Sequence, residues 1–392
     1  MCTSPLVEAN NQFIAKLVVE ISIYVNTVSF FLSTLHFFNC WFIISLSLNQ
    51  VEFEYMVTLK DIAKEAGVSV MTVSNIVNGN YTKVSKETTE HVQKIISQMG
   101  YVPNASARSL AKSKTNIIAI IMRGEENENP MLNPYYSAMV GAMIRKIQQH
   151  GYYAMVNIMK SHQDILQSLR TWNVDGAIFL GLFDDEIEAM YSVCDVPMVF
   201  VDSYSNVRQL SNIGIDDFKG GQLAANYFIS QGHRSVAFIG PTMKYNGVIR
   251  HRFDGFNSVL RVNGMEVSPE HIFEIESDVR QDAIVALGKH IAPMRKEFSA
   301  IFITSDQIAS YVVQGLVSGG VSVPEEMSVI GFDNLEICRQ ISPQLTTIAQ
   351  DLNQKAHFAV STLFQRLADP SLPAQSMVLD VKLVVRDSVT SL

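Results

Sequence analysis

The chain has 392 residues, of which 47% are apolar and 17% charged, and its net charge is −8. This composition excludes a disordered or collagen-like chain and predicts two or three domains with buried cores. The four cysteines lie far apart without a C-x-x-C pair. Their spacing excludes a disulfide framework and disfavours a cysteine-based metal site. A protein without disulfides is typical of a reducing compartment.

The charge is distributed unevenly along the chain. Residues 1–55 carry one basic and four acidic side chains, whereas residues 56–114 carry eight basic and four acidic ones. The remainder, residues 115–392, carries 21 basic and 30 acidic side chains. A small basic segment in front of a large acidic one is the pattern expected when only one domain meets a polyanion.

The first 55 residues contain a long apolar stretch. No charged residue occurs from Ile21 to Val51, and Val28 to Leu48 is long enough to span a bilayer. The stretch contains polar residues, lacks flanking Lys or Arg clusters and lacks a cleavage site. These features argue against its being a membrane anchor or a signal peptide. We expect residues 1–55 to lie upstream of a native start at Met56, with a membrane anchor or a buried helix as alternatives.

Three short helices are predicted after Met56. Thr58–Asp61 has the pattern of a capping box, and Gly67 ends the helix that this box begins. Ser69 is expected to cap a second helix over 70–78, and a third helix is expected over 85–99. Two helices joined by a glycine turn within about 20 residues are typical of a helix-turn-helix. A generic three-helix bundle is the alternative.

The next segment carries a more specific signal. Tyr101 to Ala111 reads as Y-x-P-N-x-x-A-R-S-L-A and, together with Thr58–Asn78, resembles the lactose-repressor (LacI-type) family of bacterial transcription regulators. The resemblance extends from Met56 to the C-terminus. Three later segments match motifs of the same family: Arg252–Phe256, Val323–Asn334 and Leu345–Ile348.

The resemblance implies how the head would contact DNA. The second helix would enter the major groove, Asn75 would bind a base edge, and Val70 and Met71 would make apolar base contacts. Residues 104–111 would form a hinge helix on DNA, with Leu110 wedged into the minor groove, although ordinary linker packing is the alternative for Leu110. The resemblance assigns DNA contacts to Ser69, Val70, Met71, Thr72, Ser74, Asn75, Asn78, Asn104, Arg108 and Leu110.

From Asn116 onwards, predicted strands alternate with predicted helices, and the pattern repeats. The expected fold is an all-α helix-turn-helix head followed by an α/β core of two doubly wound parallel-sheet lobes, similar to periplasmic binding proteins. The predicted divisions are an extension at 1–55, a head at 56–103, a hinge at 104–115 and a core at 116–392. Within the core, the first lobe is expected at about 116–215 plus 345–372 and the second at about 216–343 plus 376–392.

Ligand groups are expected where the parallel strands end. Asp202 and Asp333 follow apolar strand segments, and Arg252 is predicted to open a helix at the lobe junction. Two carboxylates and a guanidinium suit a polyhydroxylated ligand, although a turn cap or a surface ion pair would also explain them. By family position, the resemblance adds Asn133, Tyr135, Tyr136, Ser305 and Asp306 as effector contacts.

The sequence therefore predicts a cytoplasmic, ligand-responsive DNA-binding regulator, in particular a repressor of carbohydrate uptake or catabolism genes. It would bind a pseudo-palindromic operator as a homodimer and respond to a sugar or sugar derivative. A pentose, a hexose, a sugar phosphate or a nucleoside would each fit. No catalytic motif is found, so neither an enzyme nor a cofactor or metal is predicted. A membrane-tethered solute-binding protein and a membrane-anchored regulator are the alternatives.

Overall fold

The computed structural model describes residues 57–101, 114–124, 129–159, 161–205, 209–243, 247–276 and 280–392. The chain divides at Asn104 into two compact units, the head and the core. The predicted extension 1–55 and the predicted hinge helix, with Asn104, Arg108 and Leu110, lie outside the described residues. Across the described ranges, no helix combines the length and apolarity needed to cross a bilayer.

The head contains the three helices that the sequence predicts. They are α1 (Leu59–Ala66), α2 (Val70–Val77) and α3 (Lys86–Gln98). The capping box is confirmed, because Asp61 N donates to Thr58 Oγ1 while Thr58 N donates to Asp61 Oδ2. Gly67 ends α1 at a φ of 63°, a conformation that favours glycine. Apolar residues from all three helices form one core: Ile62, Ala63, Ala66, Val73, Ile76, Val92 and Ile95.

The described part of the core contains twelve strands in two sheets. They are β1 (Ile117–Arg123), β2 (Tyr153–Met159), β3 (Gly176–Leu180), β4 (Met198–Val201), β5 (Asn212–Ile215), β6 (Val236–Pro241), β7 (Ile272–Ile275), β8 (Ala300–Ile303), β9 (Ser328–Asp333), β10 (Thr346–Ala349), β11 (Ser376–Leu379) and β12 (Lys382–Val384). The first sheet has the order β11-β5-β4-β3-β1-β2 and the second β12-β10-β9-β8-β6-β7. The paired strands are parallel except β12, which runs antiparallel to β10.

Helices cover both faces of each sheet. They are α4 (Pro134–Gln149), α5 (His162–Trp172), α6 (Asp184–Val193), α7 (Asp217–Ser230), α8 (Val248–Val262), α9 (Gln281–Ile291), α10 (Asp306–Ser318), α11 (Ile337–Gln340) and α12 (Leu352–Ala368). On the first sheet, α4 and α12 pack against one face and α5 and α6 against the other. On the second, α7 and α8 pack opposite α9 and α10. This arrangement confirms the predicted pair of doubly wound lobes.

The lobe boundaries near the C-terminus differ from the prediction. Strand β10, expected in the first lobe, pairs with β9 of the second sheet, and β11, expected in the second lobe, pairs with β5 of the first. Helix α12 between them packs on the first lobe as predicted. The chain therefore crosses between the lobes after β5, after β10 and after β11. Local hydrophobic patterns did not reveal this exchange because they do not identify the hydrogen-bond partner of a strand.

Two glycines let α7 and α8 approach closely. A Cβ at Gly221 would overlap the carbonyl oxygen of Arg252, and a Cβ at Gly255 would overlap that of Phe218. Helix α8 begins at Val248, so Arg252 lies in its second turn and does not open the helix as predicted. The close contact of the helix backbones places the Arg252 side chain beside Asp217 at the start of α7.

Candidate DNA-reading face and ligand cleft

The first turn of α2 presents two apolar side chains to solvent. Val70 is 43% exposed and Met71 is 70% exposed, and neither belongs to the core of the head. Ser69 precedes them and accepts a hydrogen bond from Thr72 N at 3.0 Å, which caps the helix. Exposed apolar side chains at a helix start have no role in packing this head. They are suited to contact the methyl group of a thymine.

The rest of α2 supplies polar side chains near its C-terminal end. Asn78 Nδ2 donates to Ser74 O at 2.8 Å and to Ser74 Oγ at 3.3 Å. The Asn75 side chain is half-buried, and its backbone oxygen accepts from Asn80 N. The structure thus places the predicted residues Ser69 to Asn78 on one short helix and its cap. Their contacts with DNA stay a prediction.

In the first lobe, Asp202 directly follows β4 and is held by two side chains. Lys355 Nζ donates to Asp202 Oδ1 at 2.8 Å and to Oδ2 at 3.0 Å. The hydroxyl of Tyr135 donates to Asp202 Oδ2 as well. Lys355 projects from α12 and is 0% exposed. Because a buried ammonium is costly unless it is paired, Asp202 and Lys355 depend on each other.

Gln350 connects this pair to the second lobe. Its Oε1 accepts from Lys355 Nζ at 2.5 Å, and its Nε2 donates to Asp333 Oδ1 at 2.6 Å. Gln350 lies on the crossover between β10 and α12, and Asp333 is the last residue of β9. The sequence-predicted carboxylates Asp202 and Asp333 are thus brought together through two residues that the sequence analysis did not select.

Arg252 is fixed on the second-lobe side of the cleft. Its Nε donates to Asp217 Oδ1 at 2.7 Å and its Nη1 donates to Thr304 O at 2.6 Å. The guanidinium carbon lies 3.5 Å from the centre of the Phe332 ring, which is a cation–π contact. Asp217 also accepts from the hydroxyl of Tyr204 at 2.7 Å. Arg252 is therefore held by two hydrogen bonds and one ring contact.

Burial shifts the acidity of the cleft carboxyls. It raises the pKa of Asp333 to about 8, an effect that Arg252 opposes and Asp306 strengthens. Burial also raises the pKa of Asp217, and the Arg252 guanidinium opposes that rise. Both shifts follow from the loss of water around a charged carboxylate. Near neutral pH the cleft therefore holds less negative charge than its number of acidic residues suggests.

The five residues added by family position have different surroundings. Tyr135 lies in the cleft against Asp202, and the ring of Tyr136 packs edge-on against that of Tyr135. Asn133 caps α4 by accepting from Tyr135 N at 2.9 Å. Ser305 is half-buried and directly precedes α10. The structure brings Tyr135 beside Asp202.

Asp306 is occupied by contacts within its own lobe. Its Oδ1 accepts from Thr347 Oγ1 at 2.6 Å, its Oδ2 accepts from Leu335 N at 2.8 Å, and it is completely buried. Burial raises the pKa of Asp306 to about 6, while its hydrogen bonds with Thr347 and Cys338 oppose the rise. The structure therefore does not place Asp306 on the surface of the cleft, and its contacts fix the loop that follows β9.

A pair of threonines near Asp306 provides a stability test. Among the residues that the structure describes, the buried Thr304 Oγ1 has no hydrogen-bond partner, whereas Thr347 Oγ1 donates to Asp306. Replacing Thr304 by Val is expected to raise the free energy of unfolding by about 1 kcal/mol, because an unsatisfied polar atom is removed. The matched change Thr347→Val is expected to lower it by about 1–3 kcal/mol, because Asp306 loses a donor. Denaturant titration monitored by circular dichroism measures both, and equal changes would contradict the assignment.

A cavity adjoins the polar groups at the crossovers between the lobes. Its volume is about 480 Å³, and Asp333, Gln350 and Leu352 are among the residues that line it. Ligand cavities in proteins typically enclose about 300–1,000 Å³. The lining also includes Asp351, Asp380 and Lys382, whereas Asp202, Arg252 and Tyr135 do not line this cavity.

The sequence analysis missed Lys355, Gln350 and Asp217. A signal existed for Lys355, since it lies on the buried stripe of α12 with Ala359 and Thr362, where a charged residue is unusual. Asp217 follows the Asp216 cap of α7 and cannot be distinguished locally from a second capping residue. No local pattern distinguishes Gln350 either.

Comparison with known proteins identifies family models and relatives that match this chain. Residues 58–104 match the family model of bacterial regulatory proteins of the lacI family, and residues 225–389 match a periplasmic binding protein-like domain. The chain is 29% identical over 344 residues to the ribose operon repressor of Haemophilus influenzae, covering 86% of this chain and 100% of that one. It is 31% identical over 348 residues to the HTH-type transcriptional repressor PurR of Glaesserella parasuis, covering 86% and 99%.

Solved structures of similar fold include two transcription regulators. A lac repressor dimer bound to operator and the anti-inducer ONPF is similar with a TM-score of 0.74 and 25% identity, covering 86% of this chain and 99% of that one. A complex of the transcriptional regulator CelR with cellobiose has a TM-score of 0.64 and 26% identity, covering 85% and 99%. The chain belongs to the lacI family of bacterial regulatory proteins.

Proposed function

We propose that this regulator is a repressor of carbohydrate uptake or catabolism genes that acts in the cytoplasm and releases or binds its operator in response to a sugar-like effector. The observation that carries the proposal is the presence, in one chain, of an α2 face with exposed Val70 and Met71 and of a cleft where Asp202, Arg252 and Asp333 converge. The head would read DNA, and the cleft would bind the effector.

The relatives support each part of the proposal. The ribose operon repressor is named for a sugar operon, the CelR structure contains cellobiose, and the lac repressor structure is a dimer on its operator. These related proteins are regulators and not enzymes. By analogy, two copies of this chain would bind a pseudo-palindromic operator, with one head on each half-site.

The lobe connections suggest how the cleft would communicate with DNA. An effector that contacts Asp333 and Arg252 of the second lobe and Tyr135 of the first would favour one relative orientation of the lobes. Asp175 accepts from Thr115 N at 3.0 Å and from Asn116 N at 2.9 Å, so the start of the core is tied to the first lobe. A lobe movement would thereby reach the chain leading to the head, and DNA would alter effector affinity by the same factor.

The direct test is operator retention by the full chain. Genomic fragments are selected on the immobilised protein, and the recovered sites are measured by electrophoretic mobility shift with a scrambled site as control. We expect a pseudo-palindromic site to be bound about 10³-fold or more tightly than the scrambled one at physiological salt. Equal affinity for all fragments would refute the proposed function.

The exposed start of α2 gives a more specific prediction. Met71→Glu is expected to weaken operator binding about 10- to 100-fold, because an apolar base contact is lost and a negative charge is placed close to phosphates. The stability of the head is expected to stay unchanged, since Met71 is outside its core. The control Gln93→Glu adds the same charge on the exposed surface of α3. A loss of equal size in both variants would contradict base reading by α2.

A further inference from the structure

We infer that Asp175 is a positioning residue for operator binding, because its carboxylate fixes the point and the direction at which the chain leaves the core on its way to the head. The proposed function assigns base contacts and effector contacts but assigns no residue to the connection between them. The inference rests on that function, since operator affinity is its readout. It follows from how Thr115 and Asn116 are bonded at the start of the core.

The Asp175 carboxylate binds the backbone of two successive residues. Its Oδ1 accepts from Thr115 N at 3.0 Å and its Oδ2 accepts from Asn116 N at 2.9 Å. The Thr115 hydroxyl lies 2.8 Å from Asn173 O and 3.2 Å from Asp175 Oδ1. Successive N–H groups directed at one acceptor form a concave anion site in a backbone, and here a carboxylate of the chain itself occupies it. Because both carboxylate oxygens are used, the turn at Thr115 and Asn116 is held in one orientation.

The turn has a backbone conformation that depends on its contacts. Asn116 has a φ of 56°, in the left-handed region that residues other than glycine seldom occupy, although asparagine tolerates it better than most. Asn116 O accepts from Tyr153 N at 2.8 Å, and Ile117 O accepts from Asp175 N at 2.9 Å. Without the carboxylate, the N–H groups of residues 115 and 116 would bind water, and these residues would be free to adopt other conformations.

The loop that carries Asp175 is itself anchored to the first lobe. Asn173 ends α5 at a φ of 46°, and its N donates to Arg170 O at 3.2 Å. Val174 is 3% exposed, and its N donates to Leu169 O at 3.3 Å. Asp175 then directly precedes β3. The carboxylate therefore projects from a fixed point of the first lobe, at the amino-terminal end of its sheet.

A fixed exit matters only when two heads bind one site. Lys114, the residue before the turn, is exposed, and residues 102–113 lead from there to the head. For two heads to occupy both half-sites of an operator, each chain has to leave its core at a defined point. Ordering one backbone residue during binding lowers an equilibrium constant by about 5- to 30-fold, and a turn that is already ordered removes this cost. Binding of a single head to DNA has no such requirement.

Comparison of a complete operator with half an operator tests the inference. The full chain is titrated by electrophoretic mobility shift with the selected pseudo-palindromic site, with a fragment that carries one half of that site, and with a scrambled site. We expect Asp175→Ala to lower the affinity for the complete site about tenfold or more and to leave the affinity for the half-site within about twofold. Asp175→Asn keeps the size of the side chain and one acceptor oxygen, so its affinity for the complete site should lie between those of Asp175→Ala and the parent.

Two matched variants separate positioning from a general loss of stability. Asp216→Ala removes another carboxylate that accepts from a backbone N–H, that of Lys219 at 2.8 Å, at the start of α7 in the second lobe. It should leave the ratio of complete-site to half-site affinity unchanged, and denaturant unfolding measures the stability that each variant loses. Thr115→Val removes the hydroxyl but keeps both backbone donors to Asp175, so it should change the ratio less than Asp175→Ala does.

The inference and the proposed function fail in different ways. If the parent chain does not distinguish the complete site from the scrambled one, the proposed function is refuted and the inference with it. If the parent binds its operator and Asp175→Ala keeps the parent's ratio of complete-site to half-site affinity, only the positioning role is refuted. Equal losses on the complete site and the half-site, or an equal change of the ratio in Asp216→Ala, would also overturn that role. If Asp175→Ala does not fold, Asp175→Asn is judged by the same criteria.

Discussion

Replacing Lys355 by Met is expected to lower the free energy of unfolding of the core by about 3–5 kcal/mol. The buried ammonium compensates Asp202, and among the described residues its removal leaves that carboxylate with only the Tyr135 hydroxyl as a donor. Gln350 loses a donor to its amide oxygen as well. Denaturant unfolding of the full chain, monitored by circular dichroism, measures the loss.

Two further variants test whether the loss of stability arises from the ion pair of Lys355 with Asp202. The double variant Lys355→Met/Asp202→Asn removes both charges and should recover part of the loss, since no unpaired ion remains. Lys289→Met on the exposed surface of α9 should change stability by less than about 0.5 kcal/mol. If Lys355→Met were as mild as Lys289→Met, the role of Lys355 as a buried counterion would be wrong.

Replacing Gly255 by Ala is expected to destabilise the core by about 3 kcal/mol, near the upper end of overpacking effects. The added methyl group would overlap the backbone carbonyl of Phe218, and a backbone atom cannot move aside as a side chain can. Helix α8 would shift away from α7 and carry Arg252 away from Asp217. We therefore expect effector affinity to fall together with stability.

Gly141 of α4 is the matched control. A Cβ at this position would meet no atom of the described part of the chain within 4 Å, and the residue lies in a helix interior. Gly141→Ala should be neutral or stabilise the chain by up to about 1 kcal/mol, because alanine favours the helix. Thermal unfolding of both variants provides the comparison. A Gly255→Ala protein as stable as the parent would show that the contact of α7 with α8 can relax.

The features of the fold that could be predicted from the sequence are those encoded locally. Thr58, Gly67 and Ser69 mark helix ends through their own backbone preferences, and the structure confirms all three. The alternation of strands and helices also predicted the two doubly wound lobes. The lobe membership of β10 and β11 was predicted wrongly, because it depends on pairing between segments that are distant in sequence.

In the cleft, too, locally encoded features could be predicted and contacts between distant segments could not. Asp202 and Asp333 were selected because each follows an apolar strand, and the structure places both at sheet ends where they are linked through Gln350 and Lys355. The ion pair of Lys355 with Asp202 could not be predicted, because it forms where α12 meets the end of β4, and the two residues lie 153 positions apart in the sequence. The assignment of Asp202, Arg252 and Asp333 to an effector stays a prediction.

The exchange of strands between the lobes has a consequence for biosynthesis. Strand β5 remains an open edge until β11 is made, and Gln375 and Ser211, which join next to this pair, lie 164 residues apart. At ribosomal speeds of about 5–20 residues per second, that edge stays unpaired for on the order of 10 seconds. The edges of both sheets are therefore completed only when the last strands emerge, and until then β5 presents unpaired backbone groups to which another chain could pair.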